Sequence, residues 1–322
     1  MPPDQLDILQ AVILGIVEGI TEYLPISSTG HLILTSAFLG LDETVQQKHA
    51  IDAFNIVIQG GAILAVLGLY WKRVLQMILG LLGKDAPGLR MVANLIIAFL
   101  PAAVFGVLLD DWIEAHLFFP IPVIAALAVG GLLMIVIGPW QRRRFHDDTR
   151  ADNHGAFSFV DIEHLTWKRA LIIGFLQCIA MWPGTSRSMM TIVGGMFVGL
   201  RPKHAAEFSF LLGLPTLGGA CVYKAAKNFA GDGPNMLKTL GAAPAIVGII
   251  VAFIAAALAI KWLVGYLTKH GLAIFGWYRL VLSAGILAMI LSGALTIEPP
   301  AEDVPHAAPA TGPAVALNQC RP

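Results

Sequence analysis

The chain has 322 residues, 57% of them hydrophobic and 13% charged, with a formal net charge of zero and a mean hydropathy of +0.73. No ordinary soluble globular domain combines those values, and zero net charge argues against a nucleic-acid or polybasic partner. The three cysteines, Cys178, Cys221 and Cys320, are an odd set without metal-type spacing, so neither a disulfide framework nor a zinc site is implied.

Several apolar runs reach the ~20 residues that cross a hydrocarbon core of ~30 Å. They are solidly apolar rather than alternating, unlike the strands of a membrane barrel. The expected fold class is an all-α integral membrane protein, a polytopic helical bundle. The N-terminal MPPDQLDILQ has no Lys or Arg and carries Asp4 and Asp7. It lacks the basic start of a cleaved signal peptide, and residues 8 onward are expected in the mature protein. Apolar segments follow at 8–35, 51–70, 91–109 and 121–140, then at 170–199, 208–223, 241–263 and 273–293. Polar stretches separate them: 71–90 with Lys72, Arg73, Lys84 and Arg90; 110–117 with Asp110, Asp111 and Glu114; and 141–169, opened by Arg142, Arg143 and Arg144. The Pro/Ala-rich tail at 296–322 cannot build a core and is expected to be disordered.

The chain resembles itself. GIVEGITEYLPISST at 15–29 has a counterpart in GFLQCIAMWPGTSR at 174–187, matching Gly15 to Gly174, Glu18 to Gln177 and, after a one-residue slip, Pro25 to Pro183. FNIVIQGGA from Phe54 aligns more loosely with FSFLLGLPT from Phe208. Two repeats are expected, 1–144 and 170–295, joined by a linker at 145–169. If the first segment of each repeat spans fully, the halves are parallel. If it dips in and returns, each half crosses three times and the halves are inverted. Pro25, Gly30, Pro183 and Gly184 interrupt these segments, and broken backbone at membrane depth survives only inside protein or beside a watery cavity. Paired interrupted segments point to a central site in an inverted-repeat fold, so 8–35 and 170–199 are read as re-entrant. The basic loops 71–90 and 141–169 are then cytoplasmic and 110–117 faces out. Arg201, Lys203, Lys261 and Lys269 also fall inside, whereas Lys224, Lys227 and Lys238 fall outside, against the rule.

Glu18 and Glu22 lie one helical turn apart on one face, and Gly15 and Gly19 would let another helix approach closely. Two unpaired carboxylates would repel. A divalent cation, Mg²⁺ or Ca²⁺, removes that repulsion and suits hard oxygen ligands. A water pocket or a salt bridge is the plainer use for the pair, yet intramembrane acids usually mark function. After the break, PISSTGH offers Ser27, Ser28, Thr29 and His31. A hydroxyl beside a histidine is the minimum for a nucleophile with its base, though Ser28 or Thr29 also suits a helix N-cap. In the second half, PGTSRSMMT places Gly184 before Ser186, Arg187, Ser188 and Thr191. A loop opening a helix, dense in hydroxyls and carrying a guanidinium, favours an anion, and arginine forks onto phosphate oxygens. If the two segments meet, the set fits phosphoryl transfer on an amphiphilic lipid phosphate or diphosphate.

EGITEYLPISSTGH and PGTSRS closely resemble the two signature motifs of the undecaprenyl-diphosphate phosphatases of the bacitracin-resistance type, and the likeness continues through FSFLLGLPT and GWYRL over about residues 8–293. The resemblance implies hydrolysis of undecaprenyl diphosphate to undecaprenyl phosphate and inorganic phosphate in the bacterial inner membrane, which recycles the lipid carrier for peptidoglycan synthesis. It also implies an inverted-repeat fold, a pocket open to the periplasm and dependence on Mg²⁺ or Ca²⁺. Carried over by motif position, Glu18 and Glu22 handle the metal or the diphosphate, Ser28 is the nucleophile and His31 its acid or base partner. Arg187 binds phosphate, with Ser186, Ser188 and Thr191 as further ligands. Ser27 matches as well, which leaves two serines open as nucleophile. Met189 and Met190 stand where smaller residues are expected, and either Asp161 or Glu163 answers to an acid that the family often carries before the second re-entrant segment.

Among the remaining residues, Cys178 is read as packing, Asn55 and Gln59 as pocket-lining or helix-bonding amides, and Trp182, Trp277 and Tyr278 as interface anchors. Arg279 is deeper than a loop residue should be and is expected either to snorkel or to pair an acid. The rival function is a flippase for polyprenyl phosphate that uses the same anion pocket without hydrolysis. Membrane lipid surrounds either, and the sequence leaves the oligomeric state, a homodimer included, open.

Overall fold

The computed structural model describes residues 6–41, 45–146, 160–230 and 241–293. The 296–322 tail with Cys320, Lys238 and residues 147–159 of the linker lie outside them. Among the described residues there are eleven α-helices and one isolated bridge, between Val160 and Leu200. The chain is an all-helical, multi-pass membrane protein.

Four helices are short and form two pairs. Helix α1 (Ile8–Thr21) has 14 residues and α2 (Ser28–Phe38) has 11. At 1.5 Å per residue they reach only ~21 and ~16 Å, less than a membrane core. Their counterparts are α7 (Trp167–Ile179) and α8 (Arg187–Phe197). The longer helices are α3 (Val45–Leu69), α5 (Ala86–Leu117), α6 (Pro120–His146), α9 (Pro202–Ala230), α10 (Ala242–Leu267) and α11 (Ala273–Leu291). Each holds a window long and apolar enough to cross a bilayer. Their outer faces carry exposed residues such as Leu108, Val129, Val136, Leu258 and Val281. In water such a face would be an interaction patch; on a membrane protein it is the surface that meets lipid.

One helix, α4 (Trp71–Leu81), differs from the polar loop expected over 71–90. Lys72 and Arg73 made the stretch read as solvated, but its later residues bury Met77 and Gly80 against α5. Gly80 allows this contact, because a Cβ there would run into the backbone of Gly88 and Leu89.

The packing is exchanged between the halves. α1 lies on α10, and α7 lies on α5, the corresponding helix of the other half. Likewise α3 meets α10 as α9 meets α5, while the pairs α3–α9 and α6–α11 map onto themselves. The small residues that permit the first exchange are also paired. A Cβ on Gly15 would sit 2.9 Å from the Gly248 oxygen, and one on Gly174 would sit 2.5 Å from the Ala98 oxygen. The expected close approach at Gly15 and Gly19 is therefore present, as in other small-residue membrane crossings. Gly19→Leu should overpack this crossing, since even a Cβ would lie 2.5 Å from the Ala252 oxygen. A cost of about 1–3 kcal/mol should appear as a lower melting temperature in detergent. Gly285→Ala, with nothing within 4 Å of the added Cβ, should leave it unchanged.

The register of the repeat needs one correction. α2 and α8 start at Ser28 and Arg187 and end at Phe38 and Phe197, a constant spacing of 159 (187 − 28 and 197 − 38). Both are capped by serine, Ser27 and Ser186. Pro25 is thus equivalent to Gly184, not Pro183: the slip came from matching prolines by identity, whereas the caps define the backbone frame.

Candidate active site

The breaks between α1 and α2 and between α7 and α8 end the same way. Ser27 has φ 73° and Ser186 φ 77°, the two non-glycine residues with left-handed backbone among the described residues. That conformation costs an L-residue about 1–2 kcal/mol. Each serine offsets part of it by capping its helix: Ser27 Oγ accepts from Gly30 N at 3.5 Å and Ser186 Oγ from Met189 N at 3.3 Å. Gly184, at φ 95°, has its own reason to be glycine, since a Cβ would lie 2.5 Å from the Val123 oxygen of α6.

Two contacts join the breaks. Ser188 Oγ donates to the Leu24 carbonyl at 2.9 Å, from α8 to the first turn. The other is Arg279, which is fully buried on α11. It donates to Pro25 O at 3.4 Å in the first turn and to Gly184 O at 2.7 Å and Thr185 O at 2.8 Å in the second. It also reaches Ala126 O at 2.9 Å and Leu127 O at 3.1 Å on α6. Arg279 therefore neither snorkels nor pairs an acid, contrary to both expectations: carbonyls of the two broken turns, together with two of the continuous helix α6, satisfy its donors instead. Gly130 makes the room, since a Cβ there would strike the guanidinium.

With the turns joined, first-half acids face the second-half arginine. Arg187 Nη2 donates to Glu22 Oε1 at 3.0 Å and Nη1 to the Ser209 carbonyl at 2.9 Å. Ser28 Oγ donates to the other carboxylate oxygen, Glu22 Oε2, at 2.7 Å. The guanidinium lies 5.9 Å from the centre of the Tyr23 ring, within cation–π range, and Tyr23 OH is anchored on Ala62 O at 3.0 Å. Two buried atoms here have no protein partner, Glu18 Oε1 and Arg187 Nε. One is an acceptor and the other a donor, and buried groups of either kind call for a ligand or water.

Not every expected site residue is free to act on a ligand. Thr191 Oγ1 donates to Arg187 O at 2.9 Å and meets Ser209 Oγ at 2.6 Å. Ser186 and Ser188 share a 3.0 Å contact between their hydroxyls. These hydroxyls tie α8 into place. Thr29 sits half-buried in the first turn of α2. His31 does not pair with Ser28: its ring nitrogens meet Ser27 O and Tyr278 OH. Tyr278 is thus a site neighbour and not only an interface anchor. Glu163 pairs with Arg73, which also donates to Glu207 at 2.8 Å, and Asp161 faces His204 at 3.3 Å. Both acids belong to that cluster. Ser209 and Tyr23 escaped the sequence reading. A lone serine between phenylalanines in an apolar helix is the signal that marks Ser209.

Residues 11–285 match the family model described as bacitracin resistance protein BacA. The chain belongs to that family. Similar proteins include an undecaprenyl-diphosphatase of Sorangium cellulosum, 47% identical over 279 residues, 86% of this chain and 84% of that protein. Undecaprenyl-diphosphatase 2 of Rhodospirillum rubrum is 44% identical over 294 residues, 90% of this chain and 97% of its own. An undecaprenyl-diphosphatase of Pseudomonas putida is 43% identical over 279 residues, 87% and 92%. The family match spans both serine-capped turns, five of the six long apolar helices and most of the sixth, and the resemblance carried by the two motifs is borne out.

Proposed function

We propose that the chain hydrolyses undecaprenyl diphosphate to undecaprenyl phosphate and inorganic phosphate, recycling the lipid carrier. The relation to proteins named undecaprenyl-diphosphatase over most of their length supports this. The observation that carries it is the hydrogen-bonded run Ser28–Glu22–Arg187, drawn from both halves of the chain. Glu22 takes the Ser28 proton as Oγ attacks the terminal phosphorus, and the bond to the bridging oxygen breaks. Undecaprenyl phosphate leaves with that oxygen and its electron pair. Water then releases phosphate from the phosphoserine, with Glu22 returning the proton to Ser28. Arg187 holds the phosphoryl oxygens, its unpartnered Nε being the free donor. Ser28 rather than Ser27 is the nucleophile in this reading, because Ser27 is buried and capping α2. Mere passage of a lipid would leave the Ser28–Glu22 bond without a use, so hydrolysis is preferred to transport.

The donor set also fits a divalent cation. Glu18 has a buried carboxylate oxygen without a protein partner, one turn from Glu22. Among the described residues no group of three or more His, Cys, Asp and Glu side chains forms a cage, so diphosphate oxygens and water would complete the shell, as is usual for Mg²⁺. Such an ion would neutralise charge on the diphosphate. EDTA should abolish phosphate release and Mg²⁺ or Ca²⁺ restore it, with Glu18→Gln needing about tenfold more cation, the loss expected for ~1.4 kcal/mol.

With three long helices after each short pair, we place the halves in inverted orientation, the basic stretches in the cytoplasm and the pocket mouth at the periplasmic face of the inner membrane. The deciding experiment is phosphate release from a prenyl diphosphate by purified protein, alongside Ser28→Ala. Release lost in the variant supports the reading. A wild type that binds the lipid without releasing phosphate would sink it in favour of transport.

A further inference from the structure

His31 Nδ1 lies 2.7 Å from the Ser27 carbonyl oxygen, and Nε2 lies 2.7 Å from the Tyr278 hydroxyl. A carbonyl only accepts, so Nδ1 carries a proton. In the neutral ring Nε2 then has the lone pair and accepts from the Tyr278 O–H. The two rings are nearly parallel, 4° between planes with centroids 5.7 Å apart. Both nitrogens are therefore engaged, and neither is aimed at Ser28.

What this tether holds gives it meaning. Ser27 has left-handed backbone, and its carbonyl accepts from His31 Nδ1 and, at 3.4 Å, from His31 N. The next residue is Ser28, whose Oγ faces Glu22. Tyr278 precedes Arg279 on α11, and Arg279 grips the Pro25 carbonyl in the same turn. Helix α11 thus braces the turn on both sides of Ile26. One brace ends on the residue immediately before the serine.

We propose that Tyr278 is a positioning residue for Ser28, acting through His31 on the Ser27 carbonyl, and that His31 is a brace rather than the base of the reaction. The proposal rests on Ser28 being the nucleophile of the hydrolysis described above. It leaves Glu22 as the group that takes the Ser28 proton.

The test uses full-length protein in detergent with farnesyl diphosphate. Tyr278→Phe keeps the ring and loses the hydroxyl; kcat should fall about tenfold, a coupling of ordinary size, with KM within about twofold. In a His31→Ala background the same substitution should cost nothing further. His31→Asn, whose amide can still donate to the Ser27 carbonyl, should recover about tenfold over His31→Ala, whereas a proton-transferring histidine would leave the two equally inactive. A wild-type rate in Tyr278→Phe, a multiplied loss in the double variant, or no recovery with Asn would each overturn the proposal. A second measurement needs no turnover. In ¹⁵N-histidine-labelled protein, the His31 signals, assigned by their loss in His31→Ala, should report the Nδ1–H tautomer in the wild type and exchange with the Nε2–H form in Tyr278→Phe. A spectrum unchanged by loss of the hydroxyl overturns the tether whatever the activities. Failure of the hydrolase reading would show separately, as a wild type that releases no phosphate.

Discussion

Arg279→Met should lower the melting temperature of the purified protein by about 10 °C and remove its phosphate release. The guanidinium is fully buried and donates to five carbonyls, of Pro25, Ala126, Leu127, Gly184 and Thr185. A thioether fills part of the volume and donates to none of them. Those of Ala126 and Leu127 lie within the α6 ladder, but each buried carbonyl stranded in the turns, of Pro25, Gly184 and Thr185, costs about 1–3 kcal/mol. With some of them rehydrated, a total on the order of 5 kcal/mol follows, which for a chain of this size is roughly 10 °C. Activity should go further than stability requires, because among the described residues Arg279 is the side chain that reaches carbonyls of both turns. Lysine keeps the charge but offers a single ammonium with three donors, so Arg279→Lys should fall between wild type and Met in both measurements. An Arg279→Met protein with unchanged melting and full turnover would mean that the turns are held by something else.

Arg187→Ala should reduce kcat/KM for a prenyl diphosphate roughly a thousandfold, the scale on which an arginine stabilises a transferring phosphoryl group. Two effects combine. The donor to the phosphoryl oxygens is lost, and Glu22 is left buried without its 3.0 Å partner. Arg187→Lys should still lose about a hundredfold: a compact ammonium lacks the planar fork whose separate nitrogens reach the Ser209 carbonyl and Glu22 while Nε is left for substrate. Glu22→Gln should fall as far as Arg187→Ala, since the amide can still receive the Ser28 hydrogen bond but takes no proton. Joining the two substitutions should add little to the worse one, as for groups that act as a unit. Activity of Arg187→Ala within tenfold of wild type would place the anion site elsewhere.

Much of the site was legible because membrane burial makes polar residues conspicuous. Glu18, Glu22 and Arg187 stand out in apolar surroundings, and the Pro25 and Gly184 breaks mark where helices must stop. The sequence could not show how hydroxyls divide between structure and chemistry. Ser28 and Ser188 look alike in their motifs, yet one faces a carboxylate and the other bonds the Leu24 carbonyl. Nor could it join Tyr278 to His31, 247 residues away. The amphipathic α4 was missed because two leading basic residues masked its buried Met77 and Gly80.

By itself, then, the amino-acid sequence determined that the chain is a helical membrane protein with two interrupted, related segments rich in acids, alcohols and one arginine. Composition and helix breakers act locally, and the cost of burying polar groups in hydrocarbon is independent of their partners. Only the tertiary structure decided which of those groups meet. Pairing depends on the exchange of α1 and α7 between halves and on the glycines that let them settle. It depends as well on Arg279, whose donors hold both turns in one place.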